Sequence, residues 1–334
     1  MVSAAAVRRL APLTLGLAIA LGAASAPAEP PSAPPAARAE REVAVGSGIE
    51  PRGVARLESP RGLMVRIGAG SFQMGSDEAE VLSALADCVR EAYGHRCSPT
   101  LFSNETPRHE VHLSSYWLDR FEVSVAQYER CVEVGRCEPR PTSEATRRFD
   151  RADFPVTRVS WSDAAAYCAF RGARLPTEAE FERAARGVRG RRYPWGDLFN
   201  TRANNHGRFG WDVTEDADGF AELAPLGSFP DGVTPEGVYD LAGNVAEWVL
   251  DRYAPTYDVA ESSDPRGPGL GGSNLRVVRG GSYAQPRFRV RGAARAFAEP
   301  GERRSSLGFR CARSERPRRD GSSEPGADGA PAPP

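Results

Sequence analysis

Two acidic loops carry most of the chemistry that residue type and spacing allow this chain. In Asp240-Leu241-Ala242-Gly243-Asn244-Val245-Ala246-Glu247-Trp248, two carboxylates stand seven positions apart around a glycine that tolerates positive φ. The intervening carbonyls can therefore turn inward and, with the acids, suit a hard cation such as calcium. A Gly-Asn turn beside a buried Trp explains the same string equally well. Asn204-Asn205 with Asp218-Gly219-Phe220 offers a second set of oxygens.

The remaining reactive side chains narrow the choices. Six cysteines form an even set without a CxxC pair, which favours disulfides over zinc or thiol catalysis, with free buried cysteines as the alternative. Proximity suggests Cys88 with Cys97 and Cys131 with Cys137, leaving Cys168 and Cys311 as a long-range staple. In the chain-entropy model that last bridge contributes roughly 4 to 5 kcal/mol. The four histidines are scattered, and His109 and His112, three apart on a predicted strand, point to opposite faces. No GxSxG, HExxH or phosphate-loop pattern occurs, and Ser282 in its glycine-rich turn has no histidine near it in sequence.

Composition removes further classes. All 43 basic residues are arginines, so Schiff-base chemistry and a phosphate-loop lysine are impossible. They balance 44 acids to a formal charge of −1, which disfavours a nucleic-acid role. Abundant glycine (34) and proline (28) predict many turns and no helical bundle.

These loops need a scaffold. Arg8 and Arg9 precede an apolar stretch from Leu10 to Ala24 and small residues to Ala28, the order of a secretory signal. We therefore expect a signal peptide over 1–28, a disordered leader over 29–58, one domain over 59–314 and a disordered tail over 315–334. The mature protein is expected to be secreted or periplasmic, with no stable membrane anchor after cleavage. Within the domain, Leu63–Ile67 and Phe72–Met74 read as a hairpin about Gly-Ala-Gly, and Glu110–Leu113 and Tyr116–Leu118 as further strands. Ser124 and Ser162 are predicted helix caps, and Thr177 with Glu180 a capping box for a helix ending near Gly187. Residues 193–237 show little periodicity, so something other than regular structure, such as a metal or ligand, is expected to hold them.

Taken in order, the strings Gly70-Ser71-Phe72-Gln73-Met74-Gly75-Ser76, Glu105-Thr106-Pro107-Arg108-His109-Glu110-Val111, Pro155-Val156-Thr157-Arg158-Val159-Ser160-Trp161, Arg174-Leu175-Pro176-Thr177-Glu178-Ala179-Glu180, Tyr193-Pro194-Trp195-Gly196, Gly243-Asn244-Val245-Ala246-Glu247-Trp248, Arg279-Gly280-Gly281-Ser282 and Leu307-Gly308-Phe309-Arg310-Cys311 resemble the formylglycine-generating enzyme, or sulfatase-modifying factor, family. The resemblance implies an α+β fold of the C-type-lectin kind with low regular secondary structure. It implies two calcium sites, one using Asn204, the Asn205 carbonyl, Asp218 and the Phe220 carbonyl, the other using Asp240, the Gly243 and Val245 carbonyls and Glu247. Asp240 stands where Asn is often found. The family disulfide maps onto Cys168 and Cys311.

The stretch after Ser282 departs from the family. Oxidising members carry two cysteines there that bind copper(I) and engage the substrate thiol, whereas this chain reads Tyr283-Ala284-Gln285-Pro286-Arg287-Phe288-Arg289-Val290-Arg291. Without soft thiolates copper is not expected. The reading is a calcium-stabilised binding or accessory protein for a peptide or protein partner, with Ser282, Tyr283, Arg287 and Arg289 lining its concave face. The alternative is a periplasmic maturation enzyme or atypical oxidase acting on a peptide or secondary metabolite.

Overall fold

Short strands dominate, because glycine and proline interrupt the chain before any strand exceeds seven residues. The computed structural model describes residues 64–91, 97–207, 216–268 and 273–315. The expected signal peptide, the leader and the tail beyond Glu315 lie outside the described residues.

In chain order the elements are β1 (Met64–Ile67), β2 (Gly70–Met74), α1 (Glu78–Glu91), β3 (His109–Leu113), β4 (Tyr116–Asp119), α2 (Val125–Glu133), α3 (Trp161–Phe170), α4 (Glu178–Arg186), β5 (Ala246–Arg252), β6 (Arg276–Arg279), β7 (Ala296–Ala298), β8 (Leu307–Phe309) and β9 (Ala312–Ser314). They form three sheets ordered β1-β4-β9, β2-β3 and β7-β6-β5-β8, with β5 parallel to β8 and its other partner antiparallel. This is a mixed α+β fold.

The expected hairpin is corrected. β1 and β2 are both strands, but β1 pairs with β4 and β2 with β3, so the turn over Gly68 to Gly70 hands the chain from one sheet to another. Local pattern finds strands but not partners, since the partners lie about 35 to 55 residues away in sheets whose register is set by side-chain burial. Ser162 is corrected too: α3 is capped by Ser160, whose Oγ accepts the Asp163 N–H while the Asp163 carboxylate accepts the Ser160 N–H at 2.7 Å. α2 and α4 start at Ser124 and Thr177 with capping boxes closed by Gln127 and Glu180, and α4 ends at Gly187 with φ 63°. α1 had no counterpart in the sequence reading.

β5 lies between β6 and β8 in the four-stranded sheet and feeds two cores. Alternation sends Trp248 into a core with Val123, Tyr128, Tyr167 and Phe309, and Val249 into a second core with Tyr116, Phe181 and Val277. Trp248 Nε1 donates to the Val159 carbonyl at 3.0 Å, which satisfies its one polar atom. The disulfides Cys88–Cys97, Cys131–Cys137 and Cys168–Cys311 all form, the last tying α3 to the segment between β8 and β9 across 143 positions. From Tyr193 to Gly237 the described chain holds two three-residue 3-10 turns, at Thr201–Ala203 and Pro230–Gly232, and one isolated bridge between Tyr193 and Gly196.

Candidate functional site

The Asp240–Glu247 loop feeds directly into β5. Pairing fixes Glu247 between Arg279 of β6 and Gly308 of β8. Ahead of it the chain passes through left-handed backbone at Asp240 (φ 57°), Gly243 (φ 90°) and Asn244 (φ 58°). A Cβ at Gly243 would stand 2.0 Å from the Asn205 carbonyl oxygen, so only glycine lets the two acidic loops touch. The Asn244 N–H donates to the Asn205 carbonyl at 2.9 Å, and the Tyr283 N–H to the Asn244 carbonyl at 3.0 Å. Asn244 Nδ2 donates to Glu122 Oε1 at 3.2 Å, while its Oδ1 accepts from the Ala224 N–H at 3.0 Å and Asn205 Nδ2 at 3.3 Å. Both predicted loops and the turn segment after Ser282 thus meet at one asparagine.

Glu247 is fully buried and faces Arg310, also fully buried. Arg310 Nε donates to its two carboxylate oxygens at 3.0 and 2.8 Å, and Nη2 donates to Oε1 at 2.7 Å. Glu122 and Asp240 lie beside this pair, so three buried carboxylates surround one guanidinium. Burial pushes the carboxyls of Glu122, Asp240 and Glu247 above their ordinary range despite Arg310. Burial alone would lower the Arg310 pKa, but attraction to Glu247, Glu122 and Asp240 outweighs it and raises the group.

Asn204 of the other loop is 1% exposed, and neither its Oδ1 nor its Nδ2 has a hydrogen-bond partner; the buried Asn205 Oδ1 has none either. An unsatisfied buried amide costs about 1–3 kcal/mol. Asp218 Oδ2 accepts the His206 N–H at 2.8 Å and its Oδ1 the Phe220 N–H at 2.9 Å, with His206 Nδ1 3.3 Å from Oδ2. A buried amide oxygen without a donor is a ligand type that a hard cation takes, so Asn204 Oδ1 is open to calcium, although both Asp218 oxygens already accept N–H groups. The second loop fits less well, because Glu247 already takes three hydrogen bonds and Asp240 Oδ2 accepts the Gly227 N–H at 3.0 Å. Among the described residues no three of His, Cys, Asp or Glu form a group that could hold a metal by themselves.

The face expected to bind a partner is only half a surface. Ser282 and Tyr283 are 3% and 5% exposed, since the segment is pinned to Asn244 and Tyr283 packs with Phe149, Phe154 and Leu223. Only Arg287 and Arg289 of the four reach solvent. Arg287 Nε pairs with Glu91 at the end of α1, and its guanidinium lies 5.5 Å from the Phe199 ring centre. Arg289 makes no ion pair among the described residues, and burial lowers its pKa.

Sequence reasoning passed over Glu122 and the role of Arg310, although Arg310 lies inside a string it singled out. It also missed the other buried pairs. Glu105 holds Arg291 at 2.9 and 2.6 Å, Glu178 holds Arg295 at 2.6 and 2.8 Å, and Glu182 accepts from Arg279 Nη2 at 2.6 Å. No spacing rule links residues 97 to 186 positions apart, and the one available signal was arginine in otherwise apolar strings.

Residues 53–315 match the sulfatase-modifying factor enzyme 1-like domain. Over 318 residues the chain is 36% identical to the formylglycine-generating enzyme of Streptomyces coelicolor, an alignment covering 79% of this chain and 92% of that protein. It is 32% identical to the inactive C-alpha-formylglycine-generating enzyme 2 of Bos taurus over 281 residues, 75% of this chain and 87% of the relative. The solved structure of PvdO from Pseudomonas aeruginosa matches with a TM-score of 0.61 at 25% identity, covering 75% of this chain and 94% of that one. With its ordered motifs, its joined acidic loops and these relatives, the chain belongs to the sulfatase-modifying factor family.

Proposed function

We propose that this protein is an exported, calcium-stabilised member of the family that binds a peptide or protein partner and lacks the formylglycine-generating oxidase activity. One observation carries the reading: all six cysteines are in disulfides, so the chain offers no thiolate. Oxidising the carbon next to a substrate thiol needs a redox centre that binds that thiol, and copper(I) needs soft ligands. The segment after Ser282 supplies phenol, amide and guanidinium groups instead.

Calcium would be held by Asn204 Oδ1, the Asn205 carbonyl, Asp218 and the Phe220 carbonyl, and it would supply positive charge that draws the orphaned oxygens together. A second ion at Asp240, Gly243, Val245 and Glu247 would share its carboxylate with Arg310. Export is supported by the Arg8 to Ala28 segment and by three disulfides, which persist in oxidising compartments. Arg287 and Arg289 favour a partner bearing a carboxylate, which a guanidinium binds in bidentate fashion. The reading is tested by titrating the purified chain with copper(I) against a competing chelator. No transfer of copper to the protein is expected, and stoichiometric uptake would overturn it.

A further inference from the structure

The C-terminal end of α4 gathers arginines without giving them enough acceptors. Arg183 has an 8% exposed side chain, and its Nε and Nη1 are closed to solvent with no hydrogen bond. Arg191 Nε and Nη2 are in the same condition. The carboxylate facing both is Glu236, whose closest approaches are 3.6 Å to Arg183 Nη1 and 3.9 Å to Arg191 Nη2, beyond hydrogen-bond range. Glu236 Oε2 is itself buried without a hydrogen-bond partner. Burial, helped by the charges of exposed Arg189 and of Arg183, lowers the Arg191 pKa despite Glu236 and Asp197. Arg120, exposed as well, brings Nη2 to 3.4 Å from where a Cβ on Gly237 would stand.

Two buried guanidinium groups therefore face one carboxylate from beyond hydrogen-bond range, with the charge of Arg189 acting on one of them. Other buried arginines of this chain are met by carboxylates at 2.6 to 2.9 Å, as Arg291 is by Glu105 and Arg295 by Glu178. The weak partial charge at a helix C-terminus, worth about 0.3–1 kcal/mol per cation, cannot balance the excess. Water could accept from the orphaned N–H groups but would leave the charge in place. An oxyanion would do both, because each guanidinium edge presents two parallel donors to two oxygens.

We propose that Arg183 and Arg191, with the exposed Arg189 beside Arg191, form a binding site for an oxyanionic group, a carboxylate, sulfate or phosphate. Glu236 is the internal competitor that occupies the site loosely when no ligand is present. The site lies outside the Ser282–Arg289 segment and does not depend on the function proposed above.

The full chain is titrated calorimetrically with sodium acetate, sulfate and phosphate at constant ionic strength, and the saturating arm identifies the oxyanion. One of the three is expected to saturate, and Glu236→Gln is expected to tighten that binding roughly tenfold, equivalent to about 1.4 kcal/mol. The double variant Arg183→Gln with Arg191→Gln is expected to lose it. No saturation with any of the three, or saturation unchanged in Glu236→Gln, overturns the proposal. The Glu236→Gln arm decides the matter even if the double variant fails to fold, since it leaves both arginines in place.

Discussion

Asp251→Asn should flatten the pH dependence of stability. Asp251 on β5 is 3% exposed and lines a cavity of about 30 Å³ with Glu178, Tyr257 and Arg295. One of its oxygens accepts the Glu178 N–H at 2.8 Å, while the Glu178 carboxylate beside it is committed to Arg295. Burial, reinforced by the charge on Glu178, pushes the Asp251 carboxyl up to about 8 from 3.8. The folded chain therefore holds a proton that the unfolded chain releases. The stability this contributes is complete below about pH 4 and is lost as pH rises through about 8, at roughly 1.4 kcal/mol per pH unit and about 6 kcal/mol in all. Asn keeps the acceptor and the volume but cannot titrate. Urea unfolding between pH 5 and 8 should show the wild-type free energy falling more steeply than the variant's by about that slope. Other titrating groups are common to both proteins and cancel. Parallel profiles would refute the reasoning, whatever the offset between them.

Other perturbations separate the remaining contributions. Arg310→Ala leaves Glu247 buried beside Glu122 and Asp240 without a counter-charge and should cost about 3–5 kcal/mol in urea unfolding, with Arg310→Lys recovering only part because an ammonium cannot span both oxygens. Opening Cys168–Cys311 by paired Ala substitution should cost about 5 kcal/mol, against about 2 for Cys131–Cys137, because the closed loops span 143 and 6 positions. Equal losses would contradict the loop-closure account. Adding calcium to about a hundredfold above its dissociation constant should raise stability by roughly 2.7 kcal/mol per site. Asn204→Ala should abolish more of that gain than Glu247→Ala, whose carboxylate already has Arg310.

What could be read from the chain and what could not differ in a physical way. Helix starts at Ser124 and Thr177 were legible because a cap is a local bargain between a hydroxyl, a carboxylate or amide and nearby N–H groups. Ser162 was mistaken for Ser160 because both precede apolar residues, and only Ser160 has Asp163 three positions on to close the box. The nearby cysteine pairs needed nothing beyond sequence distance. The partners of β1 and β2 were not legible, since pairing is decided by which faces bury Ile67, Phe72 and Met74. At the candidate site, the Asp240–Glu247 and Asn204–Phe220 oxygens stood out by residue type, whereas Glu122 and the Arg310 charge reach them from 118 and 70 positions away from Asp240. The burial of Ser282 and Tyr283 follows from Asn244, whose backbone carbonyl fixes Tyr283 and whose role no residue type announces.

The central claim is that a member of this family without a free thiol does not oxidise sulfatase cysteine. The direct measurement is incubation of the chain, in the presence of added copper(I), with a Cys-x-Pro-x-Arg peptide, reductant and oxygen, followed by mass analysis of the peptide. No aldehyde above a control with copper alone is expected. Turnover above that control would contradict it and place the protein among the oxidases.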